Sequence, residues 1–156
     1  MPPQSGVYRI QNLSSGTVLD LTDGSSTDGT RIQGFAEREL TDVWVPAQLW
    51  VVALVSGTNI YTIQNACSRT YVDISGGSFN DGTPLVGFEG TSKSEQRWAL
   101  IPSSTHSGYY VIQNQASKTY IDLENGNPAN GTKVQIWSGS GASTNDNNQL
   151  WKFINV

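Results

Sequence analysis

Apolar positions fall in short runs that alternate with polar ones, as in Tyr8-x-Ile10 and Leu19-Asp20-Leu21. Alternation with a period of two is typical of strands that bury one face. The segments between these runs are rich in Gly, Ser, Thr and Asn, the residues that favour turns. Few stretches have the Ala, Leu, Glu and Lys content of a helix. The pattern therefore predicts an all-β chain of short strands.

Four sequence landmarks recur three times in the same order. They are Tyr-x-Ile-Gln-Asn, an Asp between apolar residues, Gly-Thr, and Gln-x-Trp. Their first or central residues are Tyr8, Tyr61 and Tyr110; Asp20, Asp73 and Asp122; Gly29, Gly82 and Gly131; and Gln48, Gln96 and Gln149. Successive Gln-x-Trp elements are 48 residues (Gln48 to Gln96) and 53 residues (Gln96 to Gln149) apart. A period of about 50 residues predicts three copies of one unit that share a core.

We place the units at about 1–53, 54–101 and 102–156. Each is expected to contain four strands, the last of which begins at the Trp of Gln-x-Trp. Two-residue hairpin turns are predicted at Ser15-Gly16, Ser68-Arg69 and Ser117-Lys118. The Gly of each Gly-Thr pair is expected to have a positive φ. Three units of four antiparallel strands predict a β-trefoil, a six-stranded barrel capped by three hairpins, whereas a propeller needs at least four repeats.

Charge and cysteine content exclude several function classes. The formal net charge is −4 and the 9 Lys and Arg residues are dispersed, so nucleic acid is not an expected partner. A single cysteine, Cys67, excludes an internal disulfide framework. The one histidine, His106, has no Cys partner and no second histidine with which to form a metal site or a triad, so no cofactor is expected.

The N-terminal residues 1–6 have no positively charged start and no apolar run. We therefore expect no signal peptide and no membrane insertion, and predict a cytoplasmic protein that leaves the cell, if at all, without a classical leader. Because the chain ends at Val156, directly after the last predicted strand, we also expect no further domain.

The triple Gln-x-Trp pattern, together with Leu19-Asp20-Leu21, resembles the ricin B-type lectin family. The Asp-Gly-Thr-x-Ile-x-Gly-Phe run of residues 28–35 is similar to the mushroom branch of that family. The resemblance covers essentially the whole chain. It implies a β-trefoil agglutinin without enzymatic activity, with a role in fungal defence. Its partners would be glycans of glycoproteins or glycolipids that carry galactose or N-acetylgalactosamine, bound without a metal ion.

The resemblance also implies a role for each repeated residue. The Asp would accept hydrogen bonds from two sugar hydroxyls, and the aromatic residue that ends the third strand would stack on the sugar. The residue before Gln-x-Trp would supply an amide, and the Gln would hold the Asp in position. The implied sets are Asp122, Gln135, Trp137, Asn148 and Gln149 in the third unit; Asp73, Phe88 and Gln96 in the second; and Asp20, Phe35 and Gln48 in the first. The Trp of each Gln-x-Trp is expected in the core.

The third unit is expected to carry the strongest site, because it retains every member of the set. In the second unit Glu95 stands where the amide is expected; an ionised Glu cannot donate, and it adds a like charge near Asp73. In the first unit Ala47 removes the amide, unless another residue of the 36–47 loop replaces it. Since single sites of this kind bind weakly, affinity would come from several sites or from a homodimer.

Other interpretations remain open. An Asp in a turn-rich β protein often accepts backbone N–H groups instead of a ligand. A β-trefoil protease inhibitor would use an exposed loop such as 36–47. A third possibility is the sugar-binding module of a larger enzyme, although the carboxylates recur with the fold and do not form the acid and nucleophile pair of a glycosidase.

Overall fold

The computed structural model describes residues 3–156, which form twelve strands and seven short 3-10 turns. The strands are β1 (Gly6–Asn12), β2 (Val18–Leu21), β3 (Thr30–Phe35), β4 (Trp50–Leu54), β5 (Ile60–Asn65), β6 (Tyr71–Ile74), β7 (Leu85–Phe88), β8 (Trp98–Pro102), β9 (Tyr110–Asn114), β10 (Tyr120–Leu123), β11 (Thr132–Trp137) and β12 (Trp151–Asn155). The 3-10 turns are Thr22–Gly24, Val45–Gln48, Ser75–Gly77, Ser94–Gln96, Glu124–Gly126, Gly141–Ser143 and Asn147–Gln149. No helix in residues 3–156 is both long and apolar enough to cross a membrane.

Six strands close a barrel. β1 pairs with β12 and β4, β5 pairs with β4 and β8, and β9 pairs with β8 and β12, all antiparallel. The other six form the hairpins β2–β3, β6–β7 and β10–β11. These hairpins meet through pairing of β3 with β7 and β11, and through a bridge between Pro84 and Gln135. The predicted β-trefoil is confirmed, and closure leaves few strand edges open to other chains.

The Trp of each Gln-x-Trp is buried at the start of a barrel strand, as predicted, with an exposed fraction of at most 1%. Each indole Nε1 donates to the backbone carbonyl of the residue that precedes the repeated Asp. The pairs are Trp50 to Leu19 (3.1 Å), Trp98 to Val72 (3.2 Å) and Trp151 to Ile121 (3.0 Å). A buried indole satisfies its one donor in this way, so the core side chain also fixes the position of the strand that carries the Asp.

The predicted two-residue hairpin turns are wrong. Four residues, 13–16 in the first unit, lie between Asn12 and Thr17, whose backbone groups pair at 2.9 Å. The buried Asn12 side chain causes the longer turn, because its Oδ1 accepts the backbone N–H groups of Ser14 and Ser15 at 3.0 and 3.2 Å. Asn65 and Asn114 organise the turns of the other two units in the same way.

The same three asparagines link the units. Each Nδ2 donates to the carbonyl of the residue directly before the Gln-x-Trp of the preceding unit. The pairs are Asn12 to Asn148, Asn65 to Ala47 and Asn114 to Glu95, at 3.0, 3.0 and 2.9 Å. The residue expected to supply the amide is therefore held by the next unit. The Gly-Thr turns have the predicted positive φ, 88° to 90°.

We expect Trp98→Ala to destabilise the protein by about 3–5 kcal/mol, because it removes a fully buried ring and leaves the carbonyl of Val72 without its donor. Urea unfolding measures the effect. Trp44→Ala is the matched control, since that ring is 54% exposed and its loss should change stability by less than about 0.5 kcal/mol. Equal losses for the two variants would contradict the core role of Trp98.

Candidate functional site

The repeated Asp of the first and third units has both carboxylate oxygens held by glutamine amides. Asp20 and Asp122 lie opposite Gln33 and Gln135 across their hairpins. These glutamines donate to Oδ1 at 3.0 and 3.1 Å. The Gln of Gln-x-Trp donates to Oδ2 at 3.1 Å in both units. The two glutamines therefore fix the orientation of the carboxylate. Each oxygen retains a lone pair, so it can still accept a hydrogen bond from a ligand.

Burial raises the pKa of both carboxyls above the ordinary 3.8, because Asp20 and Asp122 are only 2% and 4% exposed. The hydrogen bonds from the glutamines act in the opposite direction. The positive charge of Arg38 further lowers the pKa of Asp20, whereas the negative charges of Asp146 and Asp81 raise that of Asp122.

Asp73 of the second unit is held differently. Val86 stands opposite it across the hairpin, so no second glutamine reaches the carboxylate. Its Oδ1 accepts the backbone N–H of Ile74 at 2.7 Å, and its Oδ2 accepts Gln96 Nε2 at 2.9 Å. One oxygen of this half-buried side chain is therefore committed to its own backbone.

In the third unit the predicted residues line one cleft of about 290 Å³. Four of the five, Asp122, Gln135, Trp137 and Asn148, face it, and Gln149 lies behind Asp122 as its hydrogen-bond donor. The Trp137 ring is 42% exposed, so its face is open to a ligand. The rest of the lining comes from Gly82, Glu124, Asn125, Lys133 and Asp146.

Two hydrogen bonds fix the backbone of Asn148, and a glycine leaves space for its side chain. Its backbone N–H donates to Asp146 Oδ1 at 3.0 Å, and its carbonyl accepts Asn12 Nδ2 at 3.0 Å. Its side chain lies over Gly126, whose φ is 61°, and a Cβ there would collide with Asn148 Oδ1. The glycine thus leaves space for the amide beside the carboxylate.

The second unit contributes to the rim of this cleft. Lys133 Nζ donates to the carbonyl of Gly82 at 2.9 Å and lies 3.2 Å from Glu124 Oε2. Asp81 accepts the backbone N–H and the hydroxyl of Ser138, the residue after Trp137, at 2.8 and 2.9 Å. The segment that carries Trp137 is therefore held by residues of two units.

Sequence reasoning did not identify Asn125, Asp146 and Lys133 as lining residues. A signal existed for Asn125, which stands three residues after Asp122, as Asp23 does after Asp20. Both of these residues have a positive φ of 55° and line their clefts. A signal also existed for Lys133, which follows Gly131-Thr132 as Arg31 follows Gly29-Thr30, whereas Asp146 carries no repeat signal.

The first-unit cleft, of about 300 Å³, differs from the prediction in its aromatic residue. The Arg38 guanidinium lies 4.7 Å from the centroid of the Phe35 ring and occupies a face that a sugar would need. Trp44 lines the same cleft and is 54% exposed. The 36–47 loop thus brings an aromatic ring and a guanidinium into the cleft that contains Asp20, beside the apolar Ala47.

The second-unit cleft, of about 270 Å³, contains Asp73, Phe88 and Glu95. Gln96 lies behind it and donates to Asp73 and to the carbonyl of Glu89. Lys93 also lines the cleft. The structure therefore places the predicted aromatic residue and carboxylate together, with a second carboxylate where the third unit has an amide.

The Gln residues of the three Gln-x-Trp elements differ in the hydrogen bonding of their side-chain oxygen, Oε1. Gln48 Oε1 and Gln96 Oε1 accept the backbone N–H groups of Arg38 and Thr91. Gln149 Oε1 is buried and has no hydrogen-bond partner within residues 3–156. In the same residues, no three His, Cys, Asp or Glu side chains form a group that could hold a metal ion.

A threefold β-trefoil with an Asp, an aromatic ring and a supporting Gln in each unit is the architecture of a lectin domain. The chain belongs to the ricin-type beta-trefoil lectin domain-like family, whose model matches residues 46–137, more than half of the sequence. The resemblance to ricin B-type lectins is confirmed at the level of the family. A comparison with curated proteins gives no significant match.

Solved structures with the same fold include lectins and an enzyme. The Rhizoctonia solani agglutinin is 29% identical with a TM-score of 0.82, over 100% of this chain and 99% of that one. An exo-beta-1,3-galactanase from Clostridium thermocellum is 27% identical with a TM-score of 0.84. The match covers 100% of this chain but only 31% of the galactanase chain. The Macrolepiota procera ricin B-like lectin in complex with lactose is 24% identical, with a TM-score of 0.77 and coverage of 100% and 99%, a likeness in fold.

NMR titration of the carboxyl carbons should show Asp20 and Asp122 protonating at a pH above 3.8. Since the folded pKa is raised, the folded state holds these protons more tightly, and the contribution of both groups to the free energy of unfolding falls as pH rises from the unfolded value to the raised one. Asp42 is the control. The backbone N–H of Trp44 lowers its pKa, so its contribution is lost as pH falls through that lower value. Titration of Asp122 below Asp42 would contradict the burial argument.

Proposed function

We propose that this protein is a lectin that binds galactose or N-acetylgalactosamine residues of glycans, without a metal ion and without catalysis. The observation that carries the proposal is the convergence of Asp122, Trp137 and Asn148 on one cleft, with Gln149 behind the carboxylate. Membership of the lectin family supports the general function. The structural similarity to an exo-beta-1,3-galactanase, which acts on galactans, supports the galactose class.

The chemistry of the cleft suits a galactose ring. One face of this sugar consists of C–H groups, which would stack on the exposed ring of Trp137. Its neighbouring 3- and 4-hydroxyls can donate to Asp122 and exchange hydrogen bonds with the amide of Asn148. Because side chains satisfy the hydroxyls directly, no metal ion is needed.

The three sites are expected to differ. The third unit combines a carboxylate, an open Trp and an amide. In the first unit, Trp44 and Arg38 would have to replace the covered Phe35 and the missing amide. In the second unit, Glu95 and the backbone-bound Oδ1 of Asp73 reduce the hydrogen bonds available to a sugar. Sites that each bind at about millimolar Kd would reach useful affinity through multivalency, within one chain or in a homodimer.

Two other functions, protease inhibition and a role within a longer enzyme, can be distinguished from sugar binding by separate assays. A protease inhibitor would act through the 36–47 loop, whose Leu40 and Val43 are 60% and 83% exposed. Inhibition assays with common proteases distinguish this possibility. A role as the sugar-binding part of a longer enzyme is compatible with the galactanase match, and a glycosidase assay on galactans tests for catalysis by the chain itself.

Trp137→Ala should abolish measurable galactose binding by the third unit without unfolding the protein, because the ring is half exposed and supplies the stacking face. Asp122→Asn should have a similar effect. A charge-assisted hydrogen bond is worth about 1.5–3 kcal/mol, and a millimolar site cannot lose that amount and remain detectable. Isothermal titration with galactose and circular dichroism measure binding and folding.

The matched comparison is Asp20→Asn, which makes the same change in a unit without the amide. It should reduce galactose binding less than Asp122→Asn does. A crystal soaked in galactose that shows sugar in the first unit and an empty third unit would refute the ranking.

Galactose binding should persist in excess EDTA, because the cleft residues meet the hydroxyls without a cation. Haemagglutination and galactose-agarose retention, each measured with and without EDTA, check this expectation. Loss of both activities in EDTA, with recovery on addition of calcium, would overturn the metal-independent part of the proposal.

A further inference from the structure

The middle residue of Gln-x-Trp is apolar in two units and charged in one. In the third unit, Leu150 packs with Val111 and Tyr120 in a small buried cluster. The first unit has Leu49 at this position, but the second has Arg97. The buried apolar contact of the third unit is therefore replaced by a guanidinium in the second.

The neighbours of Arg97 have changed as well. The residues equivalent to Val111 and Tyr120 are Thr62 and Tyr71, by the alignment of the Tyr-x-Ile and Asp landmarks. Together they line a cleft of about 310 Å³, where the third unit has its apolar cluster. The remaining lining residues are Gly90, Ser92, Lys93 and Gln96.

This Arg97 cleft carries two cations and no carboxylate. Arg97 Nε is buried without a hydrogen-bond partner in the described chain, and the guanidinium has no ion pair there. Arg9, which occupies the position of Thr62 in the first unit, pairs instead with Glu37 at 2.8 Å. A half-buried guanidinium without a counter-charge is costly, and a bound anion would offset that cost.

The 89–97 loop shapes the cleft. Gly90 passes close to the Tyr71 ring, and a Cβ at this glycine would lie 3.0 Å from Tyr71 Cε2. The Tyr71 hydroxyl makes no hydrogen bond within residues 3–156, whereas Tyr120 in the third unit accepts one from Gln113. The hydroxyls of Thr62, Tyr71 and Ser92 thus add neutral donors around the guanidinium.

We propose that the Arg97 cleft binds the acidic group of a charged saccharide, a sulfate ester or a carboxylate. A planar guanidinium makes two parallel hydrogen bonds to either group, and Lys93 adds a point charge. Lys93 also lines the neighbouring Asp73 cleft, so one oligosaccharide can contact both. The saccharide part of this inference rests on the proposed lectin function, whereas the anion site does not.

The test is a titration of the whole chain, at constant ionic strength, followed through backbone amide NMR signals. The probes are galactose 6-sulfate, galacturonic acid, neutral galactose and sodium sulfate. Both acidic sugars should cause saturable shifts at Ser92 and Arg97, which line only the Arg97 cleft, and neutral galactose should not. A response to only one acidic sugar identifies sulfate or carboxylate as the group recognised. A response to sodium sulfate alone would support an anion site at Arg97 and would overturn the proposal that this site binds saccharides.

Arg97→Leu restores the residue of the other two units, so it should leave thermal stability unchanged or raise it while weakening acidic-sugar binding about tenfold or more. Arg31→Gln removes a charge from an exposed arginine outside the cleft and should bind like the native chain. Lys93→Gln is an exposed second variant that should reduce the affinity partly.

Native affinity in both Arg97→Leu and Lys93→Gln would overturn the proposal, as would shifts confined to Trp137 and Asn148. The two hypotheses fail separately. Absence of galactose shifts at Trp137 and Asn148 counts against the lectin site, whereas absence of acidic-probe shifts at Arg97 counts against the anion cleft alone.

Discussion

The structure depends on the double connection that Gln-x-Trp makes to the strand of the repeated Asp. The Trp ring fills the core and its indole N–H holds the carbonyl before the Asp, as in the 3.0 Å bond from Trp151 to Ile121. The Gln two residues earlier holds the carboxylate itself, at 3.1 Å in the third unit. The same short segment therefore determines both the packing of the core and the orientation of the carboxylate.

The connections between units extend this constraint around the threefold axis. Each buried Asn at the end of a first strand closes its own turn and binds the residue before the Gln-x-Trp of the preceding unit, as Asn12 does with Asn148. The third-unit cleft also needs Asp81 and Gly82 of the second unit at its rim. A single unit could neither bury its core nor complete its site, which is the physical reason for the repeat.

These Trp, Gln and Asn hydrogen bonds hold the scaffold. Residues that take no part in them can differ among the three units. Arg38 covers Phe35 in the first unit, Glu95 stands in place of the amide residue in the second, and Arg97 stands where the other two units have leucine. These changes alter the chemistry of each cleft and leave the Trp and Gln contacts intact. Three related clefts with different charges follow from one fold.

The repeat pattern by itself determined the twelve short strands, the buried Trp residues and the positive φ of the Gly-Thr turns, because these features depend on local alternation and on a period that each unit repeats. The pairing of Gln with Asp was implied by the family resemblance. The repeat pattern failed at the turn after β1, where the side chain of Asn12 accepts hydrogen bonds from backbone N–H groups. Only the tertiary structure decided that Arg38 lies on Phe35, that Trp44 joins the first cleft, and that Arg97 lies beside Thr62 and Tyr71. The first two features involve residues of the 36–47 loop whose positions follow no period, so the packing of that loop in three dimensions alone brings them together. The third joins repeat positions, and the tertiary structure decided that an open cleft lies there in place of the buried cluster of the third unit.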